Sequence, residues 1–235
     1  MMMDFLVKKK TVTGMVIACL LLLGLVSQVM AGDEGSGKSF YKLRTLEVKM
    51  TNLTRDIILT PPIFATSRRP IHFYALAQPA EEYLEVLAEG GDTSLLDTLF
   101  TEEGAQDVVV TGKPEGPIFP GETATFTIRG NSYSFLHMAS MLLPTNDGFV
   151  ALNGISVWHL RKGDFYLKAY DAGTEENDEL FVHIPGPFGG EGFNAESGEG
   201  RVTPHPGIHG EGPDVKAMIY NWGEPVAKIS VTIKR

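Results

Sequence analysis

The 235-residue chain has one cysteine, two tryptophans and no excess of basic charge. A single cysteine excludes an intrachain disulfide framework. With 20 Lys+Arg against 29 Asp+Glu, the formal charge is −9. A nucleic-acid binder needs a basic face for its phosphate contacts, so this balance argues against that class. No apolar run reaches the ~20 residues of a bilayer-spanning helix. The hydrolase signatures G-x-S-x-G and H-E-x-x-H are both missing. What is present is 43% hydrophobic and 21% charged residues, which excludes wholesale disorder and suffices for a sizeable core.

The N-terminus reads as an export address. Lys8, Lys9 and Lys10 precede an apolar run, Val16 to Val26, interrupted by Gly24, and Val29-Met30-Ala31 offers small residues for cleavage. Residues 1–31 are therefore expected to be a signal peptide that leaves no transmembrane anchor. Val16-Ile17-Ala18-Cys19 has the look of a lipoprotein box, but the apolar run continues beyond Cys19, so that cysteine reads as part of the signal. Cleavage would remove Lys8–Lys10 and Asp4, leaving a mature charge of −11 and no cysteine. An exported domain without disulfides depends on its core or on bound ions.

Gly32-Asp33-Glu34-Gly35-Ser36-Gly37-Lys38-Ser39 matches a phosphate-loop pattern. That loop works only between a buried strand and a helix. Here a signal peptide precedes it and an alternating segment follows, so 32–40 reads as a flexible linker.

Period-2 alternation then recurs. Leu46, Val48 and Met50 alternate with Glu47, Lys49 and Thr51. Ala124, Phe126 and Ile128 alternate with threonines, and Ala227, Ile229, Val231 and Ile233 repeat the pattern. Shorter candidates are Ile57–Thr60, His72–Ala75, Val108–Thr111, Tyr133–Leu143, Val150–Ile155, Phe165–Tyr170 and Leu180–Ile184, with a hairpin turn expected at Asn153-Gly154. Many short strands over 41–235 predict an all-β, antiparallel β-sandwich. Ala80, Tyr83, Leu84, Leu87 and Ala88 have helical spacing instead, ended by Gly90-Gly91. A second short helix, capped by Thr93 or Ser94, carries Leu95, Leu96, Leu99 and Phe100. These helices are expected to cover an open end or edge. Residues 185–213 are dense in glycine and proline, and predict a long irregular loop.

Acidity is concentrated in Asp171-Ala172-Gly173-Thr174-Glu175-Glu176-Asn177-Asp178-Glu179. Crowded carboxylates repel one another unless a cation lies among them, and hard oxygen ligands suit Ca2+. The spacing is not that of an EF-hand, and the same residues could form a solvated turn. A second acidic turn, Thr145-Asn146-Asp147-Gly148, follows an apolar strand. An even number of strand passes between the two would bring them to one rim, where they could share an ion.

At these two turns the chain resembles bacterial spondin-domain proteins. The resemblance is carried by Met141 to Gly154 (M-L-L-P-T-N-D-G-F-V-A-L-N-G) and Ala169 to Glu179 (A-Y-D-A-G-T-E-E-N-D-E). Val48–Thr54, Thr60-Pro61-Pro62, His205–Gly210 (H-P-G-I-H-G) and Trp222–Ile233 match as well, so it covers most of 41–235. It implies a sandwich related to C2 domains, with a calcium site formed by Asp147, Asp171 and Glu175. Tyr170 stands where the animal domain has tryptophan, Glu175 where it has aspartate, and the animal cysteines are absent.

Among six histidines, His183, His205 and His209 suggest a cluster, and a metal-dependent enzyme using 183–210 is the alternative reading. Pro206-Gly207 rules out the helix that an i, i+4 histidine pair needs. A third reading is an ion-free structural subunit of the envelope. Asn52-Leu53-Thr54 is a formal glycosylation acceptor, read here as a strand-end polar pair. Trp158 and Trp222 could serve recognition or packing. The leading expectation is a non-catalytic, periplasmic or extracellular calcium-binding adhesion module, with an unknown protein or surface glycan as ligand and no nucleic acid.

Overall fold

A computed structural model describes residues 42–102, 108–112, 115–191 and 198–234, all within one compact unit, Tyr41–Arg235. The expected signal peptide, Cys19 and the linker lie outside the described residues. Two antiparallel sheets form the fold. The smaller has the order β5-β1-β11-β8: β1 is Arg44–Asn52, β5 Thr123–Gly130, β8 Phe165–Leu167 and β11 Ala227–Ile233. The larger has the order β10-β9-β7-β6-β3-β4. Its strands are β3 Ile63–Ser67, β4 Val108–Gly112, β6 Phe135–Leu143, β7 Gly148–Ser156, β9 Ala169–Asp171 and β10 Thr203–Pro204; the two-residue β2, Ile58–Leu59, pairs beside β6.

Burial follows the pleat. Leu46, Val48 and Met50 of β1 and Ile229 and Val231 of β11 face Phe64, Leu136, Met138, Val150 and Leu152 across the sandwich interior. The opposite face of the larger sheet is covered too. There Ile63, Ala65, Ala139, Phe149 and Ala151 pack against Leu84 and Leu87 of α1, Glu82–Gly90, and against Leu96 and Phe100 of α2, Ser94–Glu102. The two helices therefore cover a sheet face, not an end or edge. The rest of that face, at Met141 and Leu143, is closed by Ile184, Ile208 and Val215 of the glycine- and proline-rich region. With both faces covered, β6 is buried almost throughout.

Four sequence expectations change in detail. Asn153-Gly154 is not a hairpin turn. Leu136 pairs with Ile155 and Met138 with Leu152, so two residues of β7 oppose His137 alone. This bulge uses Gly154 at φ 76°. Asn153 fills it by accepting from Phe73 N at 2.9 Å and donating to Tyr74 O at 2.7 Å. The reversal after β7 is made by α3, Val157–Leu160, and the turn behind it. Phe165–Tyr170 is not one strand: β8 pairs with β11, and β9 pairs with β7 in the other sheet. His72–Ala75 is irregular, and Leu180–Ile184 holds a 3₁₀ turn, Phe181–His183.

Candidate functional site

The two acidic turns meet. β7 leaves the rim at Gly148 and β9 returns to it, with Gly148 opposite Asp171; Asp171 is flanked on its other side by Thr203. Asp147, Asp171 and Glu175 are all buried. The loop after β9 folds back over Asp147, whose Oδ2 accepts from Thr174 N at 2.7 Å and Glu175 N at 3.2 Å. Asp171 Oδ1 accepts from Gly173 N at 2.7 Å, and its Oδ2 from Asn177 Nδ2 at 2.6 Å. Gly173, at φ 70°, is what allows this wrap, because a Cβ there would collide with the Arg201 backbone.

Asp147 Oδ1 is buried and has no hydrogen-bond partner. Neither Asp147 nor Asp171 has a lysine, arginine or histidine paired with it among the described residues. Burial is the main reason their protons are held tightly. The Asp147 carboxyl is pushed up to about 6, opposed by its bonds from the Glu175 and Thr174 amides. Asp171 is pushed up to about 7, by burial first and then by Asp147 itself. Two acids thus lie buried at one rim with no cationic side chain paired to either among the described residues. Among the described residues, however, no three carboxylates or histidines are already gathered tightly enough to enclose a metal ion. Asp147, Asp171 and Glu175 are neighbours, not a closed cage.

No protein-family model and no curated protein matches the chain. The likeness to spondin domains therefore rests on the motifs quoted above.

The remaining acids of the run have other partners. Asp178 Oδ1 accepts from Asn146 Nδ2 at 2.9 Å, and its Oδ2 is bonded to His183 Nδ1. Glu179 Oε1 and Oε2 accept from His209 N and Glu211 N at 2.6 and 2.7 Å. Glu179 ties the 205–215 segment to the acidic loop, and Asp178 ties that loop to Asn146 and His183. They are structural, and Glu176 is exposed.

The histidines do not converge on a metal. His183 is bonded to Asp178, and His209 is exposed. His205 is buried, lies tilted against Trp222 with ring centroids 4.9 Å apart, and uses Nδ1 to accept from Gly207 N at 3.0 Å. That bond occupies the lone pair a metal would need and leaves the proton on Nε2. Burial drives the His205 ring down to about 3, so it is neutral.

One acid of this region escaped the sequence. Glu89, near the end of α1, is buried, interacts with the Thr174 side chain and has Oε2 without a hydrogen-bond partner. Burial raises it to about 7. Thr174 thus joins Glu89 to Asp147, since its N–H donates to Asp147. Only the helical phase of α1, which turns position 89 inward with Leu84 and Ala88, could have signalled this.

Proposed function

We propose that the chain is an exported, non-catalytic binding module whose acidic rim takes up calcium. The observation that carries the reading is the buried, partnerless Asp147 Oδ1 beside Asp171, with no ion-pair partner for either residue among the described residues. A divalent cation would supply the missing positive charge, and oxygen donors of this kind fit calcium. Asp147, Asp171 and Glu175 would hold it, and the spondin-like motifs around them support the same assignment. Calcium there orders the loop after β9 and stabilises the fold. Export is inferred from Lys8–Lys10, the apolar run and Val29-Met30-Ala31; no helix among the described residues is long and apolar enough to cross a membrane. The exported protein is then expected to begin at Gly32, which intact mass measurement checks.

The test is a pair of melting curves in millimolar calcium and in chelator, with calorimetric titration of the metal. Extracellular calcium modules bind at about 10⁻⁴–10⁻³ M. A ligand at about 100 times its dissociation constant adds about 2.7 kcal/mol. Calcium is therefore expected to raise the Tm by several degrees, and Asp171→Asn to abolish the rise. Superimposable curves and no heat of binding would overturn the assignment.

A further inference from the structure

The sandwich carries exposed aromatic and basic side chains at its other end. The acidic turns lie where β6 finishes and β7 starts. At the other end, Ser67 pairs with Phe135, Phe135 with Ser156, and Arg44 with Gly130. That end exposes Arg44, Arg129, Arg161 and Lys162 in a chain whose overall charge is −9. Two nearby carboxylates are already neutralised, Glu47 by Lys234 and Asp164 by Lys228. No carboxylate among the described residues pairs with Arg161 or Lys162.

A groove of about 540 Å³ opens there between Ser132, Tyr133, Phe135, Ser156 and Trp158. Its size falls in the range of small-ligand sites. Trp158 is 59% and Tyr133 65% exposed, an unusual pair of large aromatics to leave in water. The backbone that carries them is tied down. Asn131 Oδ1 accepts from Tyr133 N at 2.8 Å, and Val157 N donates to Ser134 O at 2.8 Å, which ties the Tyr133 turn to the start of α3. Arg161 Nη1 donates to Ser132 Oγ at 2.8 Å. Its guanidinium and the Lys162 ammonium lie 5.8 and 5.9 Å from the Trp158 ring.

We propose that this groove binds an acidic oligosaccharide, with sugar rings stacked on Trp158 and Tyr133 and their carboxylates or sulfates met by Arg161 and Lys162. The apolar face of a pyranose suits a flat exposed ring, and its hydroxyls suit the serines lining the recess. A guanidinium with no carboxylate partner is the natural receptor for a carboxylate or sulfate. A membrane surface fits less well, because the aromatics line a hydroxyl-bearing recess and the cations cross the indole face instead of standing beyond it. The assignment names a partner class for the binding module proposed above, and it uses the end remote from the calcium site.

The probes are an alginate hexasaccharide, a heparin hexasaccharide and neutral cellohexaose, titrated into the exported protein carrying Trp222→Phe. Trp158 is then the one remaining indole and reports by its fluorescence. A saturable change with either acidic sugar supports the proposal, and comparing the two tells uronate from sulfate recognition. Affinity for cellohexaose should be at least about tenfold weaker, as should that of Arg161→Gln for the acidic sugars. Tyr133→Ala should weaken binding similarly, with the Tm of both exposed-site variants unchanged. Absence of any response, equal affinity for the neutral sugar, undiminished binding by the variants, or binding to phosphatidylglycerol vesicles without sugar binding would each overturn it. Retention of the calcium-dependent Tm shift in those cases would leave the calcium assignment standing.

Discussion

Replacing Asp147 by asparagine separates the charge of this residue from its shape. The side-chain oxygen can still accept from Thr174 N and Glu175 N, and the amide nitrogen takes the place of the partnerless Oδ1. What disappears is a buried charge that also raises Asp171. In chelator above neutral pH the wild type carries that charge in the folded state at a cost of about 1.4 kcal/mol for each tenfold displacement of its proton equilibrium. Asparagine forfeits part of the gain, because a charged acceptor binds amides more strongly than a neutral one. The expected net effect of Asp147→Asn in chelator at pH 7.5 is stabilisation by about 1–2 kcal/mol. In saturating calcium the order should reverse, since the variant loses the ion. Paired melting curves check both arms, and a variant less stable than wild type in chelator would mean that the carboxylate is structural. Asp147 and Asp171 were legible because each closes a motif at the end of an apolar strand. Glu89 was not, because no spacing rule links residue 89 to residue 174.

At the scale of elements, α1 shows what periodicity carries. Leu84, Leu87 and Ala88 are buried against the larger sheet, as the helical spacing requires, and the helix also delivers Glu89 to Thr174. Leu87→Ala removes a fully buried side chain between helix and sheet, with an expected loss of about 2–5 kcal/mol. Chemical denaturation checks this. Because α1 supports the acidic loop through Glu89, the variant should also bind calcium more weakly. The strands tell the opposite story. β1, β5 and β11 alternate visibly because the smaller sheet has one dry face and one wet one. β6 conceals its alternation, with Leu136, Met138 and Leu142 facing the sandwich and Ala139, Met141 and Leu143 facing helices or loops. The hydrophobicity of a strand buried on both sides has no period to read. Phe165–Tyr170 looked continuous because composition does not mark the point, at Lys168, where a chain passes from one sheet to the other. Asn153-Gly154 carries a sound turn signal, but the left-handed glycine serves a bulge, a use that only the partner strand reveals.

For the whole molecule, buried titratable groups set how stability varies with pH. Asp147, Asp171 and Glu89 keep their protons up to about 6, 7 and 7, whereas in the unfolded chain such acids release them near 4. Between those limits the folded state holds more protons, so stability falls as pH rises. His137 and His205 act oppositely. Burial lowers them to about 4 and about 3, the unfolded imidazoles bind protons up to about 6.5, and so their contribution to stability grows until that pH and is then complete. Three acids against two histidines leave a net decline from about pH 5, which levels off once Asp171 and Glu89 have lost their protons above about pH 7. The chelated protein should accordingly melt higher at pH 5 than at pH 7.5. Calcium competes with protons for the same carboxylates, so its stabilising effect must run the other way. It should be smallest at pH 5, where Asp147 and Asp171 are protonated, and largest at pH 7.5, where both are ionised and uncompensated. Melting curves at the two pH values, each with calcium and with chelator, read both slopes together. A calcium increment that is the same at pH 5 and pH 7.5 would mean that the ion is bound by groups other than these two aspartates, even if the protein is stabilised by it.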